Sequence, residues 1–543
     1  MLVLLDDASG RQVFAAPRQI VRADRPGDVP AALAALETAL AAGKHVAGWL
    51  GYELGAVLEP RLAGQPAESG PLLQLGVFDG PGVAPPVAGR AYAGPLIPEW
   101  DESAYGARFA AVKEYIAAGD IYQANLSFRS RFAFAGNPRA LYEQLLAASG
   151  ALHCGFVDDG TRQILSLSPE LFFELSADGR LTTRPMKGTT PRGEDEAGER
   201  ASLAASEKNR AENLMIVDLI RNDLSRIAEG GSVAVSDLFK VETYPTLHTM
   251  VSTVTARKRA GVGVTDILRA LFPCGSVTGA PKIRAMEILR ELETSPRGAY
   301  CGAVGFFAPD GSARFNVAIR TLTIAQGRGE LGIGGGVVQD SREHSEYAEC
   351  LLKARFFDKA RRPLELIETL RWDNGFVRLD RHFSRMEASA RVFGLPFDSC
   401  VARIALHHAV ADKSGAQRVR LTLNEQGDHD AAAYDLASNP SHWSYAMSTE
   451  RTHSDDLLLR HKTSWRELYD GEVRRLGTDE VVFCNERGEL TEGARSNIFV
   501  ERDGVLLTPP IDAGVLGSCL RAELIEQGRA RETILTPDDL KDG

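Results

Sequence analysis

The sequence predicts a mixed α/β (α+β) fold in more than one domain, and three observations carry that reading. At 543 residues the chain exceeds what one hydrophobic core usually holds. Through the first two thirds, short runs of alternating apolar residues are interleaved with amphipathic helical stretches. At "DKARRPLEL" (358–366) this pattern restarts with enough chain left for one more domain. A hydrophobic content of 44% and a charged content of 25% are those of an ordinary globular protein. The formal net charge of −11 weighs against nucleic acid as a partner, since phosphate binding wants a basic face. It leaves room for a small anion in a local basic pocket. The opening "MLVLLDDASG" has too short an apolar run for a signal peptide, and nothing approaches the roughly 20 apolar residues that span a bilayer. The seven cysteines are scattered without a CxxC pair, which suits reduced thiols in a cytoplasmic protein.

Residues 1–79 mix short apolar runs with glycine, and the Pro- and Gly-rich 80–100 reads as a connector. "DESAYGARFAAVKEYIAAG" has helical spacing, and "DIYQANLSFRSRFAF" reads as a strand. "RQILSLSPELFFELSADGRLTTRPMKG" reads as two strands joined by the turn "ADGR". "SEKNRAENLMIVDLIRNDLSRIA" predicts a helix whose apolar face is Leu214, Val217, Leu219, Ile220 and Leu224. A helix in "PCGSVTGAPKIRAMEILREL" has Thr278 as its N-cap and Pro281 in its first turn. "ARFNVAIRTLTIA" and "GELGIGGGVVQD" read as strands, and "SREHSEYAECLLKARFF" as a helix. Beyond 366, strands and Gly-rich turns surround a helix in "RHFSRMEASARVFG".

Four features of the first part offer chemistry. Glu170 and Lys187 lie in one suspected hairpin, where a carboxyl and an amine can serve as acid/base and nucleophile; a surface ion pair is the plainer alternative. Glu346 and Glu349 fall on one helix face, where like charges repel unless a cation intervenes. Glu212 on another helix could add a third oxygen ligand, a set that suits Mg²⁺, although Glu349 and Lys353 also form an ordinary i, i+4 pair. Gly334, Gly335 and Gly336 interrupt a strand, which marks either close approach by a ligand or tight packing. "GSVTGAPK" joins small residues, a helix start and Lys282, and its free N–H groups could hold a carboxylate.

The blocks "DIYQANLS", "SLSPELFFE", "RPMKGTTPRG", "AENLMIVDLIRNDLSRI", "FPCGSVTGAPKIRAMEIL", "YCGAVGFF", "NVAIRTL", "GIGGGVVQDS" and "EYAECLLKA" run in order from about 120 to 356. In them the chain resembles the chorismate-utilising enzymes: anthranilate synthase component I, aminodeoxychorismate synthase component I and isochorismate synthase. The resemblance implies two stacked antiparallel sheets flanked by helices, with chorismate and Mg²⁺ between them, over a core of about 100–358 in a domain of 1–360. It implies Glu212, Glu346 and Glu349 as metal ligands. It implies Gln123, Thr278, Tyr300, Arg320, Gly334, Gly336 and Lys353 as substrate contacts. Some relatives carry Glu where this chain has Asn209.

Isochorismate-forming relatives have a water-activating Lys at Gln123, and an amide cannot act as that base. Anthranilate synthases usually have Ala at Lys187, and Lys there marks the aminodeoxychorismate synthases. The resemblance thus implies that Lys187 attacks the ring, that Glu170 passes protons, and that ammonia enters from a separate glutamine amidotransferase subunit. An anthranilate-forming first half is the alternative.

The segments "ETLRWDNGFVRLDRHFSRMEASARVFGLPFD", "HKTSWRELYD", "NERGELTEGARSNIFV" and "LLTPPIDAGVLGSCLRAEL" resemble pyridoxal-phosphate enzymes of the aminodeoxychorismate lyase and branched-chain aminotransferase type. This resemblance implies a C-terminal α/β domain of fold type IV over 363–543 that takes pyridoxal 5′-phosphate. Lys462 is implied as the Schiff-base lysine, Glu492 as the pyridine-nitrogen partner, and Arg385, Ser496 and Asn497 as phosphate contacts. Relatives read Leu-Pro-Gly at Leu516, Gly517 and Ser518, so the loop chemistry departs there. Together the halves imply a bifunctional route to 4-aminobenzoate for folate, with a homodimer through the C-terminal domain. An aminotransferase or a non-catalytic cofactor-binding module remains open for the second half.

Overall fold

The computed structural model describes residues 1–62, 70–243, 247–437 and 441–541. It divides into two compact units. The first is Met1–Pro85, Leu96–Arg131 and Tyr142–Ala360; the second is Pro86–Pro95, Phe132–Leu141 and Arg361–Gly543. Two short segments of 1–360 thus belong to the second unit, and the connector expected over 80–100 contains a strand, Ala91–Ala93. That strand pairs with Phe134, Ala135 and Gly136, and Tyr92 is buried with Leu366, Phe383 and Phe393. Glycine and proline mark the bends on either side, but a buried Ala-Tyr-Ala is enough to make an edge strand.

The first unit is built on two large sheets whose described registers are antiparallel. Their facing surfaces interlock through Val3, Phe14, Val157 and Ile164 from one sheet and Ala47, Trp49, Phe78 and Val304 from the other. The outer face of the second sheet is covered by helices Val29–Ala41, Glu207–Ser225 and Val264–Leu271. Leu33, Leu36, Val217, Ile220, Leu268 and Leu271 enter that core, each contributing about 1.5–3 kcal/mol by burial.

The run "RQILSLSPELFFELSADGRLTTRPMKG" forms four strands, where two were expected. Gln163–Ser168 lies in the first sheet, while Leu171–Leu175, Arg180–Arg184 and Met186–Pro191 lie in the second. The switch falls at Pro169, which has no N–H to give a ladder. "ARFNVAIRTLTIA" switches in the opposite sense: Ala313–Asn316 is in the second sheet and Thr321–Ala325 in the first. The two switches are bonded to each other. The Val317 N–H donates to the Glu170 carbonyl (3.1 Å), and the Ser168 hydroxyl donates to the Val317 carbonyl (2.5 Å).

Two helix expectations need correction. Leu214 is exposed, and the buried face of Glu207–Ser225 instead includes Asn213 and Ile216. The Ser252 hydroxyl donates to the Asn213 carboxamide (2.5 Å), which turns the buried arc by one residue. The helix after "GSVTGAP" spans Lys282–Leu292 with Pro281, not Thr278, at its N-cap. Gly279 and Ala280 pair with Ala124 and Gln123 as a short strand, so the chain is still extended past Thr278. Lys282 also turns away from any anion site and donates to Asp223 (2.8 Å) and the Leu271 carbonyl (3.1 Å).

The second unit carries three three-stranded sheets, in one of which Tyr445–Thr452 runs parallel to Glu480–Asn485. Helix Leu379–Phe393 packs Phe383, Met386 and Phe393 into its core and ends at Gly394, whose φ of 67° is the left-handed conformation of a helix stop. Among the described residues no helix is long and apolar enough to cross a membrane.

Removal of the Lys282 amine leaves Asp223 buried without its partner. Lys282→Ala should cost about 3 kcal/mol of stability, read as a lowered unfolding midpoint of the first unit.

Candidate functional site

Glu170 stands directly at the first sheet switch and is buried. Burial pushes its carboxyl up to about 7; the Ser276 hydroxyl, the Lys187 ammonium and the Met186 N–H pull the other way. Its Oε1 has no hydrogen-bond partner among the described residues. Lys187 lies on the strand Met186–Pro191 and is half-buried. Burial pushes its ammonium below the usual lysine value, Lys353 pushes further, and Glu212, Glu170 and Glu349 oppose. With Glu170 buried and Lys187 half-buried, the two do not form the surface salt bridge of the plainer alternative.

The glycine strand Arg328–Val337 forms one wall. A Cβ at Gly336 would lie 2.6 Å from the Gln123 side-chain nitrogen and 3.4 Å from the Lys187 amine. A Cβ at Gly334 would lie 2.4 Å from the Ser127 hydroxyl. Only glycine lets this strand approach so closely. Gln123 is fully buried, and among the described residues neither its Nε2 nor its Oε1 has a partner. Buried amides seldom go unpaired, so both atoms fit a ligand's polar groups. Arg320, at the second switch with φ of 49°, has no ion pair among the described residues, and burial lowers its pKa. Tyr300 is buried with its phenol pushed well above the usual value by desolvation. The Thr278 hydroxyl is already spent on the Gly275 carbonyl (3.0 Å), leaving only its acceptor side.

The three glutamates share one electrostatic field. Burial raises the Glu212 carboxyl, and Glu346 and Glu349 add to the rise. Glu346 is buried and accepts from the Ser341 hydroxyl (2.7 Å). Glu349 pairs with Lys353 (3.0 Å), which outweighs burial and holds that carboxyl low, while Lys353 also donates to the Gly334 carbonyl (3.0 Å). The Lys208 ammonium lies 3.9 Å from Glu212 and 4.0 Å from Glu346. A cation thus already stands between two of the three carboxylates, and the oxygen-only set fits a hard divalent ion that keeps several waters. Among the described residues the one group of three ligand atoms mutually within 4.8 Å lies elsewhere, at Glu368, His382 and Cys519.

In the second unit Lys462 follows the turn Leu457–Arg460, and its carbonyl accepts from the Ile367 N–H (2.9 Å). Its amine is pushed below the usual value by burial, then by Arg466 and Arg385. Glu492 is buried and pushed up to about 7 by desolvation; it accepts from the Tyr469 hydroxyl (2.8 Å) and the Leu516 N–H (3.0 Å). Arg385 reaches the expected loop, donating to the Gly517 carbonyl (3.1 Å), but its other nitrogens are bound to Glu368 (2.8 and 2.5 Å). Asn497 donates to the Leu516 carbonyl (3.0 Å) and keeps a buried, unpartnered Oδ1. Ser496 donates to Glu480 (2.6 Å). A depressed amine beside a near-neutral acid suits pyridoxal phosphate; the guanidinium expected for its phosphate is engaged by Glu368.

Residues 83–359 match the family model of chorismate binding enzymes, more than half of the chain. The chain belongs to the chorismate binding enzyme family. Residues 365–543 match the model of class IV amino-transferases. The chain is 46% identical over 268 residues to aminodeoxychorismate synthase component 1 of Klebsiella aerogenes, covering 49% of this chain and 58% of that protein. It is 42% identical over 259 residues to anthranilate synthase component 1 of Streptomyces coelicolor, covering 47% of this chain and 50% of that one. The chain spans little more than half the length of these curated relatives. Among solved structures, anthranilate synthase component I from Streptococcus pneumoniae superimposes with a TM-score of 0.55 at 26% identity, over 65% of this chain and 89% of that chain.

Within this family member, three residues near the site escaped sequence reasoning. Ser276 acts on Glu170, Lys208 faces two glutamates, and the fully buried His248 lies opposite Thr190 on the Lys187 strand's neighbour. The last was legible as a lone histidine in the strand "LHTMVST"; the others depend on folding.

Glu170 supplies a sign test. Its raised value means that its contribution to stability is present below about pH 4.5 and is lost as pH rises through about 7, by about 3 kcal/mol at most. Wild type should therefore lose melting temperature relative to Glu170→Gln between about pH 5 and about pH 8. Parallel melting curves would refute the elevated value.

Proposed function

We propose that the first unit converts chorismate and ammonia to 4-amino-4-deoxychorismate through a covalent bond to Lys187. The observation that carries this is the meeting of a depressed lysine and a near-neutral carboxyl between two sheets, each in the other's field. The Lys187 amine, neutral part of the time, attacks ring carbon 2; both ring double bonds shift along the ring and the bond from carbon 4 to its hydroxyl breaks. Glu170 gives its proton to that hydroxyl, which leaves as water. Ammonia then adds at carbon 4, the double bonds shift back, and Lys187 departs as the free amine. Glu170 takes the surplus proton from the new ammonium and is ready again.

Gln123, with both amide atoms unpaired, and Arg320, without a carboxylate partner among the described residues, would hold the substrate's oxygens and carboxylate. Tyr300, Lys353 and the backbone at Gly334 and Gly336 would complete that grip, with Thr278 at its edge. Glu212, Glu346 and Glu349 would hold Mg²⁺, which when bound supplies positive charge for the ring carboxylate. A separate glutamine amidotransferase subunit would deliver the ammonia.

For the second unit we propose elimination of pyruvate from the same intermediate to give 4-aminobenzoate. Lys462 and Glu492 would hold pyridoxal 5′-phosphate, with Asn497, Ser496 and Arg385 toward its phosphate; when bound, the group supplies an electron sink. Lys462 would take the proton from the amine-bearing carbon 4 as the bond from ring carbon 3 to the enolpyruvyl oxygen breaks; the ring becomes aromatic, and the released enolpyruvate takes up that proton and leaves as pyruvate.

Purified protein given chorismate and an ammonium salt should yield 4-aminobenzoate by mass spectrometry; anthranilate would overturn the assignment. Lys187→Ala should lower product formation by about 10³-fold or more, with fold intact by circular dichroism. Unchanged single-turnover rates would remove the covalent role. Lys462→Ala should lose the cofactor's visible absorbance and stop at 4-amino-4-deoxychorismate; continued 4-aminobenzoate release would refute its part.

A further inference from the structure

Lys208 is badly placed for the helix that carries it. It sits second in the first turn of Glu207–Ser225, after the Ser206 cap, where the helix dipole opposes a cation. Its partner on the same helix, Glu212, lies four residues toward the C-terminus, which is the weaker order for such a pair. Local helix stability therefore gives no reason for a lysine here. The surroundings do. Its ammonium is 3.9 Å from Glu212 and 4.0 Å from Glu346, carboxylates that are largely buried and come from different helices. The third carboxylate, Glu349, has its own cation in Lys353 at 3.0 Å. Lys187 also acts on Glu212, from within the site, and Lys208 is the exposed charge that reaches both of the other two. It is also more than half exposed, with a long flexible stem, so it can leave without disturbing the core.

We infer that Lys208 is a placeholder cation: it neutralises Glu212 and Glu346 in the metal-free protein and is displaced when a divalent ion takes those carboxylates. This rests on the proposed reading of Glu212, Glu346 and Glu349 as metal ligands, and it adds a residue that sets how tightly the ion binds. The lysine competes with the ion for the same oxygens and repels it at close range, so affinity is held down. In return the acidic cluster survives without metal.

The test is Mg²⁺ binding by calorimetry at fixed low ionic strength, with melting temperature as a second readout, on wild type, Lys208→Met and Lys208→Arg. Lys208→Met should bind Mg²⁺ roughly tenfold more tightly. It should melt lower than wild type without metal and match it at saturating Mg²⁺. Lys208→Arg keeps the charge and should stay near wild-type affinity. Equal or weaker binding by Lys208→Met, with wild type binding normally, would overturn the placeholder role and leave the metal site standing. Absence of Mg²⁺ binding to every variant would overturn both.

Discussion

Two backbone crossings between the sheets, bonded to each other, organise everything else in the first unit. Chain leaves the first sheet at Ser168–Pro169–Glu170 and returns to it at Val317–Arg320, and three of these residues exchange hydrogen bonds. A crossing brings side chains into the gap between layers, where regular strands would turn them onto one face or the other. Glu170 and Arg320 both sit at such points. Their charges are consequently withdrawn from water by the fold itself, and the shifted titration of Glu170 follows from that placement.

Close approach of the glycine strand then decides what fills the gap. Without side chains at Gly334 and Gly336, strand Arg328–Val337 can lie against Ser127, Gln123 and Lys187. The gap is thus lined by amide, hydroxyl, amine and carboxyl groups, and the Gln123 amide and one Glu170 oxygen have no partner among the described residues. Leaving buried polar atoms unpaired costs stability. The fold meets that cost with the apolar interlock of the two sheets a short distance away.

Much of this was legible in the sequence, and the failures have physical causes. Helices Glu102–Ala117 and Glu343–Ala360 follow from their periodicity, and the structure brings Glu170, Lys187, Gln123 and Gly336, read from separate motifs, into one neighbourhood. Strand boundaries failed at the crossings, because Ser168–Pro169–Glu170 and Val317–Arg320 are short and lack the glycines that mark an ordinary turn, so each run reads as one strand. Thr278 looked like a helix cap because its residue type suits one, yet Gly279 and Ala280 were needed by the strand at Gln123. Lys282 looked available for an anion until folding brought Asp223 to it from 59 residues away. Arg385 looked free for the same reason: Glu368, on another element, cannot be seen from its motif.

The two units repeat one electrostatic arrangement and vary it in a telling way. Each sets a lysine pushed down by burial and neighbouring cations near a glutamate pushed up to about 7. The hydrogen bonds of the two acids differ. Glu170 keeps a buried oxygen without a partner, so its proton can pass to and from a bound molecule. Glu492 has both oxygens engaged, by Tyr469 and by the Leu516 N–H, so it is fixed in direction. A mobile proton suits a group that must act as acid and then as base. An oriented carboxyl suits a group that holds one ring nitrogen in one electronic state. On the reading proposed for the two units, the same pair of residue types serves two chemistries, divided by how many partners the carboxyl already has.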